Sequence, residues 1–265
     1  MPLVFASICP HPPLIIPSIG KPEDIKLVSS TIREMTKLAD VFSMAEVETL
    51  IIISPHGPIQ FDQFTMNNAF SFEGNFENFG DEETELIFRN DQKLVKEIEK
   101  NAKKEKIPIK TVNIAKIDHG SLVPLYFLSK SKLEFRLVPF YFSFLDFKTH
   151  YKMGEIIGSI IKNEKSRIGI VASGDLSHRL ILTAPGGYSV EGKKFDKKLI
   201  DLIEKKDIKG ILNFKPDFVE AAGECGFRSI LILLGALTGL SWKPEILSYE
   251  GPFGVGYMVA NFKLG

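Results

Sequence analysis

The chain has 265 residues, of which 25% are charged and 44% hydrophobic, a composition that excludes a disordered or fibrous protein and matches an ordinary globular one. Thirty-three basic residues balance thirty-three acidic ones, so there is none of the positive field that a binder of nucleic acid or of an anionic membrane uses. A small molecule or another protein is the expected partner.

In chain order, the run VFASI at 4–8 has the branched and aromatic content of a buried strand. The stretch 22–45 carries Ile25, Val28, Ile32, Met35 and Leu38 at helical spacing, and TLIIIS at 49–54 is a second strand, giving a βαβ unit. Pro10, Pro12 and Pro13 interrupt the opening run where a signal peptide would need an unbroken apolar core, which sets the expectation of a cytoplasmic protein. The segment 61–81 holds six phenylalanines among turn-forming residues and is expected to fill the core or a subunit interface in preference to lining a pocket. Helices are expected at about 82–104, 121–130, 147–163, 191–206 and 225–239, and strands at 135–142, 167–173 and 256–262. The loop LTAPGGYSVEG at 182–192 could cover a cleft. The longest apolar stretch, Ile230 to Leu240, is far short of the roughly twenty residues a membrane helix needs, and reads as buried. With no repeat or linker in view, the expected fold class is α/β, one domain over 1–265 with a central mixed sheet flanked by helices.

The five histidines are not scattered evenly. His11 follows the first strand, His56 the second, and His178 follows RIGIVAS, so three strands would deliver imidazoles to one sheet edge, where open α/β sheets bind ligands. His119, in IDHGSLVPL, precedes a helical pattern, whereas His150 reads as a helix-surface residue. Pro10, Pro12, Pro55 and Pro58 stiffen the backbone around His11 and His56, lowering the entropy lost when each imidazole is held about 2 Å from a metal. Two imidazoles need a third ligand. Glu224, at the start of an apolar helix, is a candidate, because the positive helix end favours the ionised carboxylate; capping that helix is the equally weighted alternative.

The motifs CPHPP, SPHGP, DHGSLVPL, SGDLSH and GECGFRS occur in an order that resembles the class III extradiol ring-cleavage dioxygenases, the LigB-like family, over essentially the whole chain. The stretches 174–196 and 247–257 look most like the dioxygenase-like part of AmmeMemoRadiSam system proteins, relatives of the Memo proteins. The resemblance implies a mononuclear non-haem Fe(II) on His11, His56 and Glu224, with His178 as catalytic acid/base and His119 donating to bound oxygen or substrate. Asp118 and Asp175 would orient these imidazoles. A small aromatic substrate with O2, partner proteins of the AmmeMemoRadiSam system and a homo-oligomeric state belong to the same expectation.

Cys9 and Cys225 flank the proposed ligands, and a soft thiolate there would favour zinc or copper. Both are expected to be small buried groups pointing away. Arg179 and Tyr188 are candidates for substrate contact, or equally for structural hydrogen bonds. No phosphate-binding loop, nucleophile elbow or CxxC pair is present. Two competing readings remain: a zinc enzyme ligated by His11, His56 and His178 with Glu224 in another role, and a non-enzymatic metal-binding partner protein.

Overall fold

A computed structural model describes residues 2–130 and 134–265. Its strands are β1 (Leu3–Cys9), β2 (Thr49–Ser54), β3 (Phe64–Asn67), β4 (Ser71–Phe76), β5 (Asp81–Asn90), β6 (Ile109–Val112), β7 (Arg136–Tyr141), β8 (Ile168–Ser173), β9 (Trp242–Glu250) and β10 (Tyr257–Leu264). Its α-helices are α1 (Pro22–Leu27), α2 (Ser29–Met44), α3 (Gln92–Lys104), α4 (His119–Ser129), α5 (Phe147–Ile161), α6 (Val190–Glu204), α7 (Ile208–Leu212), α8 (Pro216–Ala222) and α9 (Phe227–Ala236). All ten strands join one sheet in the order β4-β5-β7-β2-β8-β1-β10-β9, with β3 bridging β7 to β6. The central four, β7, β2, β8 and β1, run parallel, while β10 and β9 return antiparallel. The expected mixed α/β sheet is therefore what the chain forms.

Strand β2 shows why the sheet is buried on both sides. Ile51 and Ile53 face one apolar layer, with Met153 and Ile157 of α5 and Ile230 and Leu234 of α9. Leu50 and Ile52 face the other, with Met35, Leu38 and Phe42 of α2 and Leu122 and Leu125 of α4. An apolar run in a central parallel strand alternates between two cores rather than between core and water. Because β1, β2, β7 and β8 are parallel, their carboxyl ends share one edge, and the segments carrying His11, His56 and His178 leave the sheet there.

Several boundaries differ from the sequence reading. Residues 81–90 form β5, a hairpin partner of β4, so only the second part of the expected 82–104 helix is helical. Exposed Glu85, Ile87 and Arg89 alternate with the more buried Leu86, Phe88 and Asn90 as in a half-exposed strand, and Asp91 caps the helix that follows by accepting from the Leu94 amide. The expected 22–45 helix breaks at Val28 into α1 and α2. The polar stretch at 242–250 forms β9, an edge strand. Phe64, Phe72 and Phe76 fill the core, as expected of that segment, whereas Phe61, Phe70 and Phe79 are exposed.

His150 corrects the surface assignment: it is fully buried on α5, with Nδ1 at 2.8 Å from the Asp146 carbonyl and Nε2 at 3.0 Å from the Ser143 carbonyl. Among the described residues, no helix is long and apolar enough to cross a membrane.

Candidate metal centre

The site begins with two serines at strand ends. Ser173, the last residue of β8, donates its hydroxyl proton to the Gly120 carbonyl at 2.5 Å. Its one proton thus engaged, Ser173 Oγ must accept from His11 Nδ1, 2.9 Å away. This fixes the His11 tautomer and leaves the Nε2 lone pair facing inward, the form a metal ligand needs. Ser54, the last residue of β2, plays the corresponding part beneath His56: its Oγ accepts from the His56 amide at 3.3 Å and donates to Asp118 Oδ1. Asp118 in turn caps α4 by accepting from the Ser121 amide at 3.0 Å, which anchors His119 in the first turn of that helix.

His11 Nε2 lies 2.9 Å from His56 Nε2 and 3.5 Å from Cys225 Sγ. The donor atoms of His11, His56 and Cys225 all fall within 4.8 Å of one another, as do those of Asp175, His178 and Cys225. Asp175 also accepts from the His11 amide at 3.0 Å, with Oδ2 3.8 Å from His11 Nε2. His119 stacks on His56 with ring centroids 4.3 Å apart, and Phe79 packs against His119 at 5.6 Å. Cys225 reaches this cluster because the chain before α9 crosses the chain after β8 backbone to backbone. A Cβ on Gly174 would lie 2.1 Å from Gly226 Cα, so only glycine allows that approach.

Burial dominates the electrostatics. His11 is 2% exposed, and desolvation together with the neighbouring imidazoles of His56, His119 and His178 holds its pKa well below the usual histidine value. His56 is lowered to about 4, first by burial and then by His119, with Asp118 opposing. His119 and His178 are lowered for the same first reason. Burial raises Asp175 to about 7 and pushes the Cys225 thiol well up, with Asp175 and Glu224 adding to the latter. Neutral imidazoles beside a carboxyl and a thiol that resist ionisation are compatible with an added positive charge, which would reverse the carboxyl and thiol shifts.

The two separations made by His11 Nε2, to His56 and to Cys225, suit a shared metal ion by distance as well. Nitrogens about 2.1 Å and sulfur about 2.3 Å from a common ion stand about 2.9–3.4 Å (N···N) and about 3.1–3.6 Å (N···S) apart for tetrahedral to octahedral angles. The observed 2.9 and 3.5 Å match.

Of the residues singled out in the sequence, the fold brings His11, His56, His119, His178, Asp118, Asp175 and Cys225 together. Glu224 is turned toward the helix: its Oε2 accepts from the Phe227 amide at 2.5 Å, and burial lifts its pKa to about 7. Cys9 points into the apolar layer beneath α2 and α4, with Ser7 Oγ 3.6 Å from its sulfur and its pKa pushed up to about 12 by burial. Arg179 binds the Ala221 carbonyl at 3.3 Å and its side chain packs against Gly186 and Gly223, tying the 182–192 loop to α8. Tyr188 is exposed on that loop. His178 Nε2 is buried without a hydrogen-bond partner. Sequence reasoning missed Ser54 and Ser173; the signal was a serine that ends each apolar run as the first residue of SPH and SGD.

Fold and site thus define an α/β protein with a histidine- and cysteine-lined candidate metal site at the carboxyl edge of its parallel strands. The chain belongs to the family described as the catalytic LigB subunit of aromatic ring-opening dioxygenase, whose model matches residues 5–260. It is 34% identical to Protein CA_C1420 of Clostridium acetobutylicum over 97% of its length, and spans 56% of that protein. It is 26% identical to the 3,4-dihydroxyphenylacetate 2,3-dioxygenase of Escherichia coli, over 72% of this chain and 74% of the relative. It is also 26% identical to MEMO1 family protein MJ0403 of Methanocaldococcus jannaschii, over 50% of this chain and 45% of the relative. A solved structure of the uncharacterized protein JW3007 from Escherichia coli K12 shares the fold with a TM-score of 0.68 at 16% identity, covering 98% of this chain and 99% of that one.

Proposed function

We propose that this chain is a mononuclear metalloprotein of the LigB type that holds Fe(II) on His11, His56 and Cys225 and acts on a catecholic or related small aromatic substrate with O2. The observation that carries the reading is the convergence of those three donor atoms within 4.8 Å, with His178 facing the same space. When bound, Fe(II) would supply a spin-allowed path for electrons to pass from the closed-shell ring to ground-state dioxygen.

The chain's own residues do the rest. His178, neutral and with a buried, unpartnered Nε2, takes a hydroxyl proton from the substrate and returns one later. Asp175 holds the His11 backbone by its amide and stands close enough to share the positive charge. His119, stacked on His56, offers a hydrogen-bond donor on the opposite side. Glu224 stabilises the start of α9 and so the placement of Cys225; direct ligation by Glu224 would require it to leave the Phe227 amide. The dioxygenase activity named for the Escherichia coli relative, and the family description of an aromatic ring-opening dioxygenase, support the reaction class.

A second reading rests on Cys225. A thiolate is a soft ligand that favours zinc or copper, and the Asp175, His178 and Cys225 cluster offers His178 as a ligand in place of an acid/base. The chain would then be a metal-binding protein without ring cleavage, in keeping with its likeness to a MEMO1 family protein, and its partners would be proteins of the AmmeMemoRadiSam type.

Anaerobic reconstitution followed by oxygen uptake with a panel of catechols separates the two. The first reading predicts one iron per chain, turnover on at least one catechol, and a His178→Ala variant that keeps the metal but loses turnover. Stoichiometric zinc on purification, no turnover, and loss of metal in His178→Ala would replace it with the second.

A further inference from the structure

At the same edge of the sheet, but on the α5 and α9 side, lies a cavity of about 400 Å³ that the metal chemistry does not use. Its walls are largely apolar, including Phe144, Phe147 and Leu212, and its charged groups are Arg228, Lys148 and Asp146. The volume falls in the range of small-ligand sites, which combine apolar walls with a few directed polar groups.

Arg228 stands in the first turn of α9, one turn beyond Cys225. Its guanidinium carbon is 5.3 Å from the ring centroids of both Phe144 and Phe147 and 5.9 Å from that of Phe142. Three aromatic rings thus hold the side chain, while its Nε–H is buried and meets no acceptor. With Nε enclosed among the rings, the terminal nitrogens of the guanidinium are the donors left to meet an anion in the cavity. Glu224, just before α9, lies near enough for its charge to act on Arg228, but its Oε2 accepts from the Phe227 amide and no ion pair joins the two side chains.

The other charges narrow the ligand. Lys148, exposed at the rim, adds a second positive group. Asp146 is bound by the Thr149 amide at 2.9 Å and its hydroxyl at 2.8 Å, and its remaining negative charge disfavours a dianion such as phosphate. Phe144 is half exposed and Phe61, itself 80% exposed, lies 5.1 Å from it centroid to centroid, so aromatic surface continues from the cavity outward. Planar, singly negative and aromatic is the chemistry these groups select: a guanidinium fork matches a carboxylate, and phenylalanine faces match a ring.

We propose that this cavity binds an aromatic monocarboxylate, with its carboxylate on the Arg228 guanidinium and its ring against Phe144. The site is independent of the metal centre and of the activity assigned to it.

The test is calorimetric titration of the full chain with benzoate and with benzamide, its neutral analogue of the same shape, in both chelator-treated and metal-loaded protein. Saturable benzoate binding in both forms, with benzamide at least tenfold weaker, is expected. Arg228→Gln should weaken benzoate at least tenfold, Arg228→Lys by less, and Phe144→Ala should weaken benzoate and benzamide together. Thermal unfolding of each variant separates loss of the site from loss of the fold, and Phe144→Ala, which leaves every charge in place, supplies the test if Arg228→Gln fails to fold. Benzoate and benzamide of equal affinity, Arg228→Gln binding as wild type, benzoate affinity unchanged in Phe144→Ala, binding abolished by chelation, or no saturation at concentrations on the order of 10 mM would each overturn the proposal.

Discussion

Replacing Ser173 by alanine removes one hydroxyl that serves two partners. It accepts from His11 Nδ1 at 2.9 Å and donates to the Gly120 carbonyl at 2.5 Å, and both Ser173 and His11 are buried. The variant leaves an imidazole N–H and a carbonyl without partners, each costing about 1–3 kcal/mol when buried, so the metal-free protein should lose about 2–4 kcal/mol after relaxation. The second effect is specific to the site. Without the hydroxyl, nothing holds the proton on Nδ1, and the tautomer with Nε2 protonated cannot ligate. Loss of such an outer partner typically costs 10–100-fold in metal affinity. Urea titration of the chelated protein measures the first loss, and competition for Zn²⁺ against a chromophoric chelator measures the second. Lower stability with Zn²⁺ affinity within twofold of wild type would show that Ser173 is a packing group and that the tautomer argument is wrong.

Other expectations concern the scaffold. His150 is fully buried and burial lowers its pKa to about 4, while an unfolded histidine titrates near 6.5. The unfolded chain therefore takes up this proton first as pH falls, so His150 contributes fully above about pH 6.5 and its contribution, up to about 3 kcal/mol, is lost as pH falls toward 4. Urea titrations at pH 7 and pH 5 should show a smaller difference in His150→Gln than in wild type; an equal difference would remove His150 from the account. Gly154→Ala places a Cβ 2.0 Å from the Ile232 carbonyl and 2.8 Å from Gly235 Cα, where α5 meets α9 backbone to backbone. Overpacking against backbone should cost about 2–3 kcal/mol or more in denaturant titration, and a neutral substitution would mean the two helices can part freely.

Much of this architecture can be read from the residues. Uninterrupted apolar runs such as TLIIIS identify strands buried on both faces, and a histidine two residues past β1 and β2 and five past β8 predicts a shared edge once those strands are parallel. Residues 81–90 mislead because glutamates at several positions look helical when the partner strand is unknown; pairing with β4 decides the matter, and pairing is not local. His150 misleads for a related reason: Tyr151, Lys152 and Lys148 around it are polar, but the face of α5 that carries it packs on Phe64 and Phe142. At the site, the order of Glu224 and Cys225 cannot say which side chain turns inward. Where Gly174 crosses Gly226, the thiol lies toward His11 and the carboxylate toward the Phe227 amide.

Glu224 and Cys225 are neighbours, so exchanging each in turn compares two donors on one scaffold. Glu224→Gln can still accept from the Phe227 amide and should keep metal affinity within a few fold, whereas Cys225→Ser should lower it by at least tenfold. X-ray absorption on metal-loaded protein is the most direct measurement. The account predicts nitrogen scatterers at about 2.1 Å with one sulfur at about 2.3 Å, the sulfur shell vanishing in Cys225→Ser. A spectrum of nitrogen and oxygen alone in the wild-type protein would contradict it.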